Sequence, residues 1–240
     1  MKPRDSRANE LVDHSLTYQR GLRNFPHRRR LQAIIAALTR GDAPAVDSYA
    51  DVGCSNGYVT AIIGERLRPN RIVGFDHAEG HLERARREHP GIEFRLIDLN
   101  RPLPAGHEAF DLVTCFETLE HVGNLEQAIA NLWAMTRPRG TLFLTVPIES
   151  GARGLVKFLI KVGLFRYSLN ELPPRRRRTL SYVGALAANR NLASFRDRRH
   201  GWGTHFGFDW REVERLLRAR GASFESHSDL TTRLIRVRKA

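Results

Sequence analysis

The run Tyr49-Ala-Asp-Val-Gly-Cys-Ser-Asn-Gly-Tyr58 constrains this chain more than any other stretch. An apolar, strand-like segment stops on a glycine-rich turn, and a helical pattern on Val59, Ile62, Ile63 and Leu67 follows at once. Gly53 and Gly57 stand where the backbone must turn at dihedrals closed to other residues, or where a ligand lies against main-chain atoms. The N–H groups that open the next helix have no intrahelical partner and face whatever the turn holds. A nucleotide-type cofactor suits that arrangement.

The turn alone is a weak signal, and its continuation gives it weight. Arg71-Ile-Val-Gly-Phe75 is a second apolar run ending in Asp76, where a carboxylate can accept both hydroxyls of a ribose. Ile92-Glu-Phe-Arg-Leu-Ile97 alternates and ends in Asp98-Leu99, and Phe110-Asp-Leu-Val-Thr-Cys-Phe116 ends in Glu117. In a parallel sheet these ends all meet at one edge.

These strand ends, in this order, resemble the cofactor motifs of class I S-adenosylmethionine-dependent methyltransferases, over roughly residues 46–149 and 205–238. The resemblance implies that Asp51, Gly53, Cys54, Ser55 and Gly57 hold the methionine part of S-adenosylmethionine. It likewise implies that Asp76 with His77 holds the ribose, that Asp98-Leu99 holds the adenine, and that Cys115 and Glu117 close the site, Glu117 toward the methionine amine. Ser55 departs from the pattern by standing in the place of a glycine, and Asn56 is bulkier than usual there. A dinucleotide-binding α/β domain is the competing reading. Acids after three strands rather than one argue against it.

The expected fold is α/β: a Rossmann-like, doubly wound, seven-stranded, mostly parallel sheet with an antiparallel C-terminal hairpin and a helical insertion after strand 5. Residues 1–45 form an N-terminal arm and a helix with apolar positions Leu31, Ile34, Ile35 and Leu38, ended by Gly41, which should cover the sheet or the cofactor mouth. Residues 46–149 and 205–240 form the core. Residues 150–204 form a basic helical insertion over the acceptor side. Within the core, Leu125 to Met135 reads as a helix, Arg137-Pro-Arg-Gly140 as the turn into strand Thr141 to Val146, and Asp209 with Glu212 as a capping box. Ala222 to Ser226 and Leu230 to Val237 read as the closing hairpin.

Two cysteines, Cys54 and Cys115, lie at strand ends and suggest neither a disulfide nor a zinc site. The charged, apolar-poor N-terminus has no signal-peptide pattern, and no apolar stretch reaches spanning length. A cytoplasmic protein is therefore expected, with peripheral attachment at the inner face of the membrane open to it through the basic insertion. The formal net charge of +13 falls mostly in residues 151–200, through Arg153, Lys157, Lys161, Arg166, Arg175 to Arg178, Arg190, Arg196, Arg198 and Arg199. A solvated basic face is the plain reading of such a run; its concentration in one segment favours an anionic partner.

Methyl transfer from a sulfonium asks the protein to position the acceptor, exclude water and take a proton where the acceptor is a hydroxyl. The candidates follow the fourth strand, in Glu117-Thr-Leu-Glu-His121. On a helical turn Glu117, Glu120 and His121 would share one face and could orient a base or hold a divalent metal. The segment is similar to its counterpart in ubiquinone-pathway O-methyltransferases and small-RNA 2′-O-methyltransferases, which implies a metal held by both glutamates and the histidine, with His200 or His205 as a further ligand. The same Glu-His pair also occurs in class I enzymes without a metal, where His121 acts as base or only packs. His121 and His205 are the catalytic candidates, since the segment before the last helix returns to the ligand-binding edge.

The apolar stretch Leu155 to Phe165 beside Arg175 to Arg178 has the pattern of a segment lying on an anionic membrane surface, or of a lid over the pocket. The leading expectation is an O-methyltransferase acting on a small-molecule or lipid- or carrier-linked metabolite, such as a quinone precursor or a glycan hydroxyl or phosphate. An RNA methyltransferase is the second reading, with Arg28 to Arg30 and Arg175 to Arg178 on phosphates; no recognised RNA-binding module supports it. A non-catalytic cofactor-binding scaffold is the third, and the intact acidic strand ends oppose it.

Overall fold

The computed structural model describes residues 25–39, 46–151, 154–156, 176–196, 207–229 and 231–240. Seven strands form one sheet: β1 (Ser48–Val52), β2 (Arg71–Asp76), β3 (Glu93–Leu96), β4 (Phe110–Phe116), β5 (Thr136–Pro147), β6 (Phe224–Asp229) and β7 (Thr232–Arg238). Their order is β3-β2-β1-β4-β5-β7-β6. β1 pairs in parallel with β2 on one side (Ala50↔Val73) and β4 on the other (Ala50↔Val113). β7 runs antiparallel to β5 and to β6 (Leu144↔Ile235, Ser226↔Ile235). The chain leaves β1 in one direction and returns at β4 in the other, which opens a ligand crevice at the carboxyl edge between them. The expected sheet and closing hairpin are both present.

Period-two alternation sorts the core. Tyr49, Leu112, Phe143 and Leu234 face one side, where Ile34 and Leu38 of α1 (Phe25–Leu38) and Ile63 of α2 (Tyr58–Leu67) cover them. Ala50, Val113, Leu142, Leu144 and Ile235 face the other, under α4 (Leu125–Met135) and α6 (Trp210–Ala219). α3 (Glu79–Glu88) packs Leu82 and Ala85 onto Phe94 and Cys54 at the β3 end. The N-terminal helix thus covers the sheet, as its spacing predicts.

Two local details differ from the sequence pattern. The expected turn at Arg137 to Gly140 lies within a continuous β5, whose pairing with β4 shifts between Phe110↔Thr136 and Leu112↔Thr141. Arg139 there has φ 64°, and a Cβ on Gly140 would lie 2.9 Å from the Arg137 carbonyl, so the irregularity is an embedded bulge. In α2 the buried residues are Thr60, Ile63 and Gly64, whereas Val59 and Leu67 are only partly buried. A polar threonine thus takes a core position.

After β5 the described residues include α5 (Arg176–Ala187) and a 3-10 turn (Ala193–Phe195). Tyr182 and Leu186 pack on Leu192, and the Tyr182 ring meets Phe195 edge-on with centroids 5.4 Å apart. The expected amphipathic helix Leu155 to Phe165 lies outside the described residues from position 157 on, as do Arg175 and the side chains of Arg176 to Arg178. No helix among the described residues is long and apolar enough to cross a membrane.

Asp209 fastens this segment to the core. As N-cap of α6 it accepts from Arg211 N at 3.1 Å, and its Oδ2 accepts from Leu192 N at 3.3 Å and Arg211 Nη2 at 2.7 Å. Arg211 reaches on to the carbonyls of Asn189 and Arg190. Asp209→Ala removes a buried cap and its ion pair and is expected to cost about 1–3 kcal/mol in urea unfolding. Asp209→Asn keeps the cap acceptor and should cost less; equal midpoints for wild type and both variants would refute the fastening role.

Candidate functional site

The β1–α2 turn is built from left-handed residues: Gly53 at φ 85°, Ser55 at φ 51° and Gly57 at φ 77°. Gly53 N and Cys54 N both donate to Phe75 O, at 2.7 and 3.0 Å, which ties the turn to the end of β2. A Cβ on Gly53 would sit 2.1 Å from Thr118 Oγ1, and one on Gly57 would sit 2.7 Å from the Phe94 ring. Both glycines are therefore required by space as well as by dihedral. Ser55 holds a conformation that suits glycine, at a cost of about 1–2 kcal/mol. Its N–H donates to Asp76 Oδ2 at 2.9 Å, which offsets that cost.

Three carboxyls stand at this edge in different environments. Asp51 is buried between β1 and α2 and accepts from Thr60 Oγ1 at 2.6 Å and Thr114 Oγ1 at 2.7 Å. Burial pushes its carboxyl up to about 6, the two hydroxyls counter only part of that, and Asp76 adds to it. Asp76 is almost as buried, and burial alone would raise it too. The imidazoles of His77 and His81, whose Nδ1 atoms lie 3.3 and 3.7 Å from Oδ1, together with Ala78 N at 3.0 Å, outweigh that and hold it well below the usual carboxylate range. Asp98 is about one-third exposed, and its Oδ1 accepts from Asn100 N at 3.0 Å. A charged Asp76 beside the turn and a partly open Asp98 one strand further fit a ribose and an adenine.

Other sequence candidates are placed differently. The side chains of Leu99 and Cys115 belong to the main core, and Cys54 packs with Leu82, Ala85 and Phe94. These three offer a ligand main chain rather than side chain. Burial pushes both thiols well above their usual range, so neither is a thiolate.

After β4 the chain forms a turn rather than the expected helix. Glu117 has φ 47°, its N–H donates to Thr145 O at 3.0 Å, and His121 N donates to Thr118 O at 3.0 Å. Glu117, Glu120 and His121 therefore do not share a helical face, because a left-handed residue redirects the chain at the first of them. Glu117 Oε2 pairs with Arg30 Nη1 of α1 at 2.8 Å, while Glu120 is 1% exposed and His121 partly exposed. Among the described residues no three His, Cys, Asp or Glu side chains converge as metal ligands. His200 and His205 lie outside the described residues. The described side chains therefore assemble no metal centre by themselves.

S-adenosylmethionine meets a better fit. Among the described residues Ser55 Oγ and Glu117 Oε1 are buried without a hydrogen-bond partner, both in the cradle around Gly53. A cofactor's ammonium and hydroxyl groups would satisfy such atoms. The sequence pattern missed Thr118 and His81, and it offered Arg30 only to RNA phosphates rather than to Glu117. Only His81 carried a local signal, one helical turn beyond His77.

Comparison with known proteins agrees with this geometry. Residues 50–144 match the model of a methyltransferase domain. A trans-aconitate 2-methyltransferase of Acidovorax ebreus is 27% identical over 154 residues, 63% of this chain and 59% of that protein. The mitochondrial ubiquinone biosynthesis O-methyltransferase of Rattus norvegicus is 33% identical over 102 residues, 40% of this chain and 29% of that protein. The chain thus spans well under two thirds of the length of either relative. A magnesium protoporphyrin IX methyltransferase from Synechocystis, solved with S-adenosylhomocysteine bound, superposes with TM-score 0.60 over 98% of this chain and 95% of that one at 15% identity, and so shares its fold. Residues 50–144 thus carry a methyltransferase domain, and the relatives that this chain resembles over that region are named as methyltransferases.

The two aspartates give opposite pH dependences. Asp51, raised when folded, contributes stability that is full below the unfolded carboxylate range near pH 4 and is lost as pH rises through about 6. Asp76, lowered when folded, contributes stability present above pH 4 and lost on acidification below it. Wild type should therefore lose stability relative to Asp51→Asn between pH 4 and 7, by on the order of 3 kcal/mol. Parallel pH profiles of urea unfolding for the two proteins would refute the buried-carboxyl assignment.

Proposed function

We propose that this protein transfers the methyl group of S-adenosylmethionine to a hydroxyl oxygen of a small-molecule or lipid- or carrier-linked metabolite. The observation that carries this reading is the cradle of Gly53 to Gly57 with an ionised Asp76 bonded to its middle. The cofactor supplies an activated methyl on a sulfonium. The turn and Glu117 orient its methionine end, with Arg30 beside Glu117 placed for the carboxylate, and Asp76 and Asp98 hold ribose and adenine. The acceptor oxygen attacks the methyl carbon in line, the carbon–sulfur bond breaks, and the sulfur keeps the electron pair as a neutral thioether. His121, in the loop that follows β4, takes the acceptor proton as general base without a metal. The basic charge of residues 151–200 favours an anionic acceptor or an anionic membrane surface.

A second reading follows from the trans-aconitate methyltransferase relative together with that basic segment. A carboxylate acceptor is already anionic and has no proton to lose, so His121 would then be dispensable.

Asp76→Ala should keep the fold and weaken S-adenosylhomocysteine binding by roughly 1.5–3 kcal/mol in calorimetry; equal affinity would dismiss the ribose assignment. With a hydroxyl acceptor His121→Ala should lower turnover on the order of 10²-fold, and chelation should leave wild-type turnover intact. Full activity of His121→Ala would instead select the carboxylate reading. Binding to anionic vesicles, weakened by salt, tests the membrane partner, and its absence at low salt leaves the acceptor as the anion.

A further inference from the structure

The loop 118–124, which carries His121, lies between β4 and α4 and depends on two side chains from elsewhere in the chain. Asn100, two residues beyond Asp98, accepts at a single Oδ1 from Gly123 N at 2.8 Å and Asn124 N at 2.9 Å. Its Nδ2 donates to Asp98 Oδ1 at 3.0 Å, the same oxygen that its backbone N–H reaches. With two donors on one side and a carboxylate on the other, the amide can point only one way. On the far side of the loop, Arg196 Nη2 donates to Leu119 O at 3.1 Å, Glu120 O at 3.3 Å and Val122 O. The guanidinium is itself seated over the Phe208 ring, 5.2 Å from its centroid.

Asn100 is firmly carried. Asn131 of α4, 2% exposed, donates to the carbonyls on both sides of it, Leu99 O at 3.2 Å and Arg101 O at 2.8 Å. The amides that Asn100 grips belong to Asn124 and its predecessor, and Asn124 in turn caps α4 through Gln127 N at 3.1 Å. A displacement of Asn100 therefore moves the end of the loop and the start of a core helix together.

We infer that Asn100 is a positioning residue that couples occupancy of the adenine site at Asp98 to the backbone of the His121 loop, with Arg196 holding the same loop from the acceptor side. This rests on the reading of Asp98 as the adenine contact. A donor on the cofactor's adenine fixes the partly exposed Asp98 carboxylate that orients Asn100, so binding immobilises the grip on Gly123 and Asn124. The coupling is reciprocal, and a fixed loop favours the cofactor in return. His121 is thereby presented once the methyl donor is in place.

Hydrogen exchange on the full chain, with and without S-adenosylhomocysteine, tests this. In wild type the ligand should slow exchange of the Gly123 and Asn124 amides roughly 10-fold. In Asn100→Ala both amides should exchange fast in either state, while Ser55 N and Ala78 N, which bond Asp76, still gain protection. Asn100→Asp keeps an acceptor for the two amides but repels Asp98, so their protection should persist and lose its response to ligand. Calorimetric binding to wild type with those amides unchanged, or equal slowing in wild type and Asn100→Ala, overturns the coupling alone. Failure of wild type to bind the ligand overturns the functional reading and the coupling with it.

Discussion

Ending parallel strands in acids at a shared edge gathers carboxyls into a small, partly desolvated volume, and the arrangement holds only because each receives a different set of donors. Asp51 receives two hydroxyls and is pushed toward neutrality; Asp76 receives main-chain N–H groups and two imidazoles and stays ionised. Environments that drive two acids apart assign them separate roles. Asp51 ties β1 to α2 and β4 through threonines, whereas Asp76 places a fixed negative charge beside the cradle. One donor to Asp76, Ser55 N, comes from the turn that the glycines shape, and the others come from Ala78, His77 and His81 just beyond β2. Through Ser55, holding the charge and shaping the turn are linked.

That charge bears on the chemistry. An edge carrying Asp76, Asp98 and Glu117 would attract a cofactor that is cationic at its sulfonium, and would hold the neutral thioether product less strongly. Arg30 limits the negative field at Glu117 through a 2.8 Å ion pair from the helix that also packs Ile34 and Leu38 on the sheet. A hydrophobic contact on one part of α1 thus fixes a charge at the site on another.

Much of the core was legible in the sequence because its signals are local. Strand β4 spans the run Phe110 to Phe116 read from the sequence, the glycines of the turn stand at positive φ, and Asp209 caps α6. The turn after β4 was not, since a helical reading of Glu117, Glu120 and His121 assumes right-handed dihedrals that Glu117 does not adopt. Thr60 was passed over for the opposite reason: a stripe of apolar residues cannot show that a buried carboxyl opposite needs a hydroxyl. Arg30 on Glu117, Asn100 on Gly123 and Arg196 on Leu119 join positions far apart in the chain, and no periodicity records such pairs.

The strand ends were more legible than the segment after β5, because a ribose and an adenine present the same groups wherever they are bound and call for the same local pattern. The segment around α5 meets the core through Arg196 on three carbonyls and through Arg211 on the carbonyls of Asn189 and Arg190. Main-chain oxygens are present whatever the side chains beside them. Docking of that kind lets the side chains of that segment change in sequence while the loop 118–124 stays where it is.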